Sequence, residues 1–345
     1  MLNNFIIYQN QCQAFFCVFS GFSGVFSPIF QKLCIFKTRP QHVVFPADIF
    51  WQNLRQFNHF FVKMCYNMDM ASYLTHKFVA DGVLSALGDK NISPAPFYAG
   101  AGGGDAFFLY RPLRKKGYNL GRLLHRKNVY EFFCAAREYA CERGDFSYIY
   151  GYITHYAVDT VFHPYVYAAE YEYLDALPDK RKKDKVHFLI ESDIDKLLAD
   201  RYANGDTEIR APQLTEKQCD EACGLIVYAA KKALSLDLSP AAVKGAMTAF
   251  PHRQNYFSRP KSKRRTRFYN FERALGLPHV LSYLCIRETP DTAFATLPDG
   301  KGGLKSVYEL FAEAVKRSVL LIEAFSRGAP DEALFSSDFN AGKRD

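Results

Sequence analysis

Three residues able to bind a metal stand one helical turn apart in Thr154-His155-Tyr156-Ala157-Val158-Asp159-Thr160-Val161-Phe162-His163. At about 100° per residue, positions i, i+4 and i+8 spread over only about 80° of a helix, so both imidazoles and the carboxylate share a face. The residues between are mostly apolar or aromatic, which marks the helix as buried. Charge on a buried face needs a strong compensating partner. A divalent metal is one such partner; a His–Asp hydrogen bond inside the core is the other. The spacing recurs in His187-Phe188-Leu189-Ile190-Glu191. Zinc is held by this kind of nitrogen and oxygen donor, and two such pairs, with more histidines upstream, supply enough ligands for more than one ion. Multi-metal sites of this composition cleave phosphate esters. One ion polarises the phosphoryl oxygen while another lowers the pKa of the attacking water.

The elements that must position these groups read as helix after helix from Met70 onward. Leu74, Phe78 and Val79 fall on one face of a first helix that stops near Gly88. Further helices are expected over 129–141, 148–169, 180–202, 215–234 and 306–326. Asp145, Thr215 and Ser306 stand where N-caps belong. Gly100-Ala101-Gly102-Gly103-Gly104-Asp105 reads as a loop. Without a Gly-Lys-Ser/Thr ending it is no phosphate-binding Walker loop; its glycines let the backbone pass close to a metal site and aim Asp105. No alternating strand pattern or internal repeat is evident. The predicted class is all-α, a multi-helix bundle.

Bulk composition is compatible with this reading and narrows it little. The chain has 345 residues, 48% hydrophobic and 23% charged, with a formal net charge of +8. A mildly basic surface suits phosphate esters, nucleic acid or an anionic membrane surface alike. Nine cysteines show no paired C-x-x-C spacing, which argues against a zinc ribbon or a secreted disulfide framework and for a reducing, cytoplasmic setting. Residues 1–69 differ from the rest. They carry 13 of the 31 Phe without a sustained period, and the first Lys, Lys32, follows the apolar stretch 15–30 where a signal peptide would put charge ahead of it. Ser20, Gly21, Ser23, Gly24, Ser27 and Pro28 break that stretch as a membrane span. Residues 1–69 are therefore read as a disordered or mis-started leader, 70–330 as the folded domain and 331–345 as a frayed tail.

Taken in order, His76, Gly-x-Gly-Gly-Gly-Asp105, Leu-Leu-His125, Thr-His155-x-x-x-Asp159-x-x-x-His163-Pro164 and His187-x-x-x-Glu191 resemble the zinc-dependent phospholipase C family, which is related to the single-strand-specific zinc nucleases. The resemblance spans about residues 70–205. It implies a helical bundle holding two or three zinc ions. It also implies that Asp105, His125, His155 and Asp159 bind one ion and that His163, His187 and Glu191 bind a second. A third would lie between His76 and a bridging Asp159, and Asp105 would be the general base. The resemblance carries a phospholipid or other phosphodiester substrate with it. Secreted relatives complete the third zinc with an N-terminal Trp, whereas the single Trp here is Trp51. Two positions that are aromatic in the choline pocket of the phospholipases are Ala106 and Arg122 in this chain, with Phe107 and Phe108 as nearby substitutes. Arg122 is thereby expected to shape substrate choice. Nothing after residue 205 resembles the β-sandwich membrane domain that some relatives append.

Other features read more plainly. The basic run Lys261-Ser262-Lys263-Arg264-Arg265-Thr266-Arg267 is expected to be a solvated loop, although its neighbouring aromatics suit nucleic acid or peripheral contact with an anionic membrane. Tyr165, Tyr167, Tyr171 and Tyr173 either wall a cleft or pack the core. His252, His279, Cys219 and Cys223 are expected to be structural. Two rival functions use the same residues: a zinc nuclease or nucleotidase, and a non-catalytic helical protein with structural zinc.

Overall fold

The computed structural model describes residues 73–88, 91–108, 110, 119–179, 184–260 and 262–339. The predicted leader, residues 1–69, lies outside them. In chain order the helices are α1 (Tyr73–Leu87), α2 (Pro94–Ala101), α3 (Leu120–Arg126), α4 (Val129–Arg143), α5 (Ser147–Asp175) and α6 (Val186–Tyr202). They continue as α7 (Glu216–Leu234), α8 (Pro240–Ser258), α9 (Ser262–Ala274), α10 (Leu281–Leu284), α11 (Val307–Arg327) and α12 (Glu332–Phe335). Among the described residues the only sheet is a two-stranded antiparallel ribbon, β1 (Thr296–Pro298) with β2 (Leu304–Ser306). The all-α expectation holds. No helix among the described residues is long and apolar enough to cross a membrane.

The bundle is organised around α5, whose buried residues lie on almost every side. It packs against α1, α2, α6 and α11, while α4 and α7 pair beside them. Glycine makes the tightest of these crossings possible. A Cβ on Gly100 would lie 2.0 Å from the carbonyl oxygen of Tyr148, and one on Gly151 would lie 1.9 Å from that of Phe97. Helices α2 and α5 therefore meet backbone to backbone. An aromatic cluster of Phe133, Tyr156, Phe325 and Phe335 fills the space where α4, α5, α11 and α12 converge, with ring centroids 4.8–6.5 Å apart.

Several local signals are realised as read. Thr215 and Ser306 each close a full capping box, and the Asp145 carboxylate accepts the amide of Ser147 at 2.8 Å where α5 begins. Four expectations change. Helix α6 starts at Val186 rather than 180, because the amide of Lys185 is drawn away to the carbonyl of His279 at 3.1 Å. The glycine run is less a loop than the end of α2 followed by a 3-10 turn over Gly103–Phe107. The basic run forms α9, not a loop. Arg264 stacks over Tyr256 at 4.0 Å and donates to its carbonyl, and Arg265 donates to the carbonyl of Cys285 at 2.7 Å. The tail is packed as far as Phe339: Asp331 caps α12, and both Phe335 and Phe339 are fully buried.

One contact sets how α1 enters the bundle. Asp195 of α6, wholly buried, accepts the amides of Leu74 (3.3 Å) and Thr75 (2.8 Å) and the Thr75 hydroxyl (2.6 Å). A carboxylate at the first turn satisfies amides that have no partner within the helix and complements its dipole. The next residue after Thr75 is His76, so this contact also fixes the start of the metal site. Asp195→Ala should destabilise the protein by roughly 2–3 kcal/mol, since two buried amides and a hydroxyl lose a charged acceptor. Urea unfolding measures it; a loss below about 0.5 kcal/mol would mean that α1 is held elsewhere.

Candidate metal centre

Helix α5 supplies the middle of the site. His155, Asp159 and His163 face one way, as their spacing requires, and all three are buried. Asp159 lies among four imidazoles. Its Oδ1 is 3.4 Å from His76 Nε2 and 3.7 Å from His163 Nε2; its Oδ2 is 3.3 Å from His155 Nε2 and 3.5 Å from His125 Nε2. From α6, His187 Nε2 and Glu191 Oε1 approach to 2.9 Å, with His163 Nε2 at 3.8 Å from the same oxygen. Asp105 enters from the 3-10 turn, 3.2 Å from His125 Nε2 and 3.9 Å from His155 Nε2. All eight residues singled out in the sequence as ligands converge at this one place. They form three donor groups, the first two sharing His155: His76 with Asp105 and His155, His125 with His155 and Asp159, and His163 with His187 and Glu191.

The glycines before Asp105 explain how the turn can come so close. A Cβ on Gly103, which has φ +46°, would lie 2.1 Å from the His155 ring, and one on Gly104 would lie 2.4 Å from the His125 ring. Any larger residue would displace a ligand. Phe107, proposed as a substrate contact, points into the core and is fully buried. Phe108 lines the cleft and stacks on His125 at 5.1 Å.

The electrostatics call for cations. Burial pushes the Asp105 carboxyl up to about 7, with His125 only partly offsetting it. For Asp159 burial acts the same way, but the surrounding imidazoles, His155 and His163 foremost, outweigh it and hold the carboxyl below its ordinary range. Burial works against protonating His125 and His187, yet their carboxylate neighbours raise each to about 10. His155 is pushed well below its ordinary value by burial. Both oxygens of Asp105, Oδ2 of Asp159 and Oε2 of Glu191 are buried without a hydrogen bond. His125 and His155 bring their Nε2 atoms to 3.2 Å. Ligand atoms bound to one tetrahedral zinc at 2.0–2.1 Å stand about 3.3 Å apart, so these separations and donor types fit that ion.

The second ring nitrogens show how these imidazoles are aimed, and no local pattern announces their partners. His125 Nδ1 is 2.6 Å from the carbonyl of Gly121, and His187 Nδ1 is 3.6 Å from Glu170, which also accepts the amide of His187 at 3.3 Å. His163 Nδ1 donates to the carbonyl of Phe339 at 2.9 Å. The Phe339 amide in turn donates to the carbonyl of His125 at 3.0 Å, and its ring lies 4.8 Å from His125 and 5.7 Å from His155. The end of the described chain is thus a strap across the ligand cluster, leaving Nε2 of His163 turned toward the metal positions. A sequence window around His163 carries no sign of a partner 176 positions away.

On one side the site is open. Asp105, His125, His163 and His187 line a cleft together with Phe108, Arg122 and Tyr167. Of the four tyrosines after the metal helix only Tyr167 reaches it. Tyr173 packs on Phe294, Tyr165 lies under Lys305, and Tyr171 is exposed. His279 is tied to Glu272 at 3.2 Å, and His252 is exposed; neither lies in any of the donor groups. The described cysteines, Cys219 and Cys223 included, are free thiols outside those groups.

Buried histidines and carboxylates converging from five chain segments and opening on a cleft define a helical metal centre. Residues 75–230 match the family model for zinc-dependent phospholipase C, a span that contains all eight ligand-type residues. No curated protein and no solved structure matches the chain.

Two outcomes follow from the second nitrogens and the charges. A chain ending at Ser336 lacks the carbonyl that orients His163, and its zinc affinity should fall about 10- to 100-fold in competition titration while helix content stays constant. Unchanged affinity would make the strap mere packing. Separately, His125 and His187 carry protons up to about pH 10 in the metal-free protein, and zinc must displace them. Apparent affinity should therefore rise with pH, by about tenfold per unit for each proton released, and weaken as pH falls from 8 to 6. Titration at several pH values reads this; a flat profile would exclude both imidazoles as ligands.

Proposed function

We propose that this chain is a zinc-dependent phosphoric diester hydrolase that cleaves phospholipid, or a related phosphodiester, with water as the nucleophile. The supporting observation is the cleft, which reaches Asp105, His125, His163 and His187 and so opens onto members of all three donor groups. Structural zinc is closed off by four protein ligands, whereas catalytic zinc keeps a position for water or substrate. When bound, zinc supplies a Lewis acid for the phosphoryl oxygens and lowers the pKa of water.

The residues divide that work as the resemblance implies. Asp105, His125, His155 and Asp159 would hold one ion, and His163, His187 and Glu191 a second. His76 with the shared Asp159 would hold a third. Asp105 lines the cleft, where the resemblance would make it the general base for the attacking water. Its position is fixed by Gly103 and Gly104. The orientation of His163 and His187 is fixed by Phe339 and Glu170, so the ligands are pre-organised before substrate arrives. The basic run lends a nuclease reading little, because its Arg264 and Arg265 are committed to Tyr256 and Cys285.

Asp159 tests the proposal. Asp159→Asn keeps the volume but removes the charge shared by four imidazoles. The variant should bind at least one fewer zinc per chain and lose nearly all phosphodiesterase activity. It should also melt lower when metal-loaded, with little difference from the parent in chelator. A His–Asp pair that merely holds the core predicts a stability loss that persists in chelator. Full zinc content with full turnover would overturn the assignment of the whole helix.

A further inference from the structure

The rim of the cleft is more cationic than a phosphodiester alone requires. Arg122 and Arg126 stand four residues apart on α3 and so project from the same face, the helix that also carries His125. Both line the cleft, and so does Lys185, two residues before His187. The backbone of Lys185 is fixed, its amide bonded to the carbonyl of His279 and its carbonyl accepting from Phe188. Among the described residues that line the cleft, Asp105 and Glu170 are the carboxylates, and Glu170 stands 3.6 Å from Nδ1 of His187.

Among the described residues, the Phe and Tyr side chains that line the cleft are Phe108, Tyr167 and Phe188, and Phe188 is only 3% exposed. Phe108 is 5% exposed with one face on His125, and Tyr167 is 8% exposed, with its ring 4.9 Å from His187 and 5.4 Å from His163. A cation needs open ring faces; these two rings already turn theirs to ligand imidazoles. Guanidinium groups, in contrast, match phosphate oxygens two at a time.

We propose that Arg122, Arg126 and Lys185 form a second anion subsite beside the metal centre, and that the preferred substrate is a phospholipid whose headgroup carries a further phosphate. This rests on the phosphodiester hydrolase reading above. The scissile phosphodiester sits over the metal ligands, and the second phosphate is held about one headgroup away by the two arginines and the lysine. A zwitterionic headgroup presents its positive end to the same three cations and is repelled.

The test uses the zinc-loaded full chain and short-chain, monomeric phospholipids below their micelle concentration, so that attraction of a basic protein to an anionic surface plays no part. Three headgroups are compared: choline, glycerol and a phosphorylated inositol. The phosphorylated headgroup should show kcat/KM at least tenfold above choline, with glycerol between them. Arg126→Gln and Lys185→Gln should each lower the phosphorylated-to-choline ratio about tenfold, chiefly through KM, at unchanged zinc content and melting temperature. Arg126→Lys should restore much of the ratio. Arg122→Tyr should shift it furthest toward choline. Hydrolysis of all three with choline equal or preferred would overturn the subsite and leave the hydrolase reading standing. No hydrolysis of any diester by the zinc-loaded protein would overturn that reading itself. A loss in the glutamine variants that is equal for every headgroup would show a structural role for these residues and likewise sink the proposal.

Discussion

A carboxylate within 4 Å of four imidazoles, in a helix with almost no exposed surface, is the constraint on which the rest of this protein turns. Asp159 keeps its charge because the histidines surround it, and the histidines tolerate burial because Asp105, Asp159 and Glu191 stand among them. Removing any one partner leaves the others uncompensated in a medium where unpaired charge is expensive. The helices therefore have little freedom to slide. The α5 face, the α6 pair, the 3-10 turn and the first turn of α1 must all arrive in register for the cluster to be electrically tolerable. The close backbone contacts of Gly100 with Tyr148 and of Gly151 with Phe97, and the Asp195 contact with α1, follow from that requirement.

The ligand set was legible because helical spacing is a local property. His155, Asp159 and His163, and again His187 and Glu191, announce a shared face without knowledge of the fold, and the all-α class followed from the same period. The groups that aim those ligands were not legible. Asp195 is one of several carboxylates along α6, and nothing beside it indicates that its acceptor capacity is taken up 120 residues earlier. Phe339 acts on His163 through its carbonyl, a group that every residue possesses. The basic run misled because cation-rich composition suggests solvent, whereas Arg264 and Arg265 spend their donors on carbonyls and a tyrosine face. Phe107 and Phe108 are adjacent and chemically identical, so only the pitch of the 3-10 turn could assign one to the core and the other to the cleft.

Within the candidate site, depth follows the helices. The α5 and α6 ligands lie deep in the bundle, while α3 carries His125 inward and Arg122 and Arg126 toward the rim. A short helix anchored by its Asn119 cap can vary its outward residues without disturbing the inward one. Specificity can thus change at α3 while the chemistry below it stays fixed.

The strap has a consequence for the order in which the protein matures. Its metal-facing histidines begin at His76 on the first described helix, yet His163 is oriented only once Phe339 has been made and has packed over it. A nascent chain that has exposed every ligand still lacks this part of the site's lining. The orientation of His163 toward any metal is thereby deferred until translation has passed the strap.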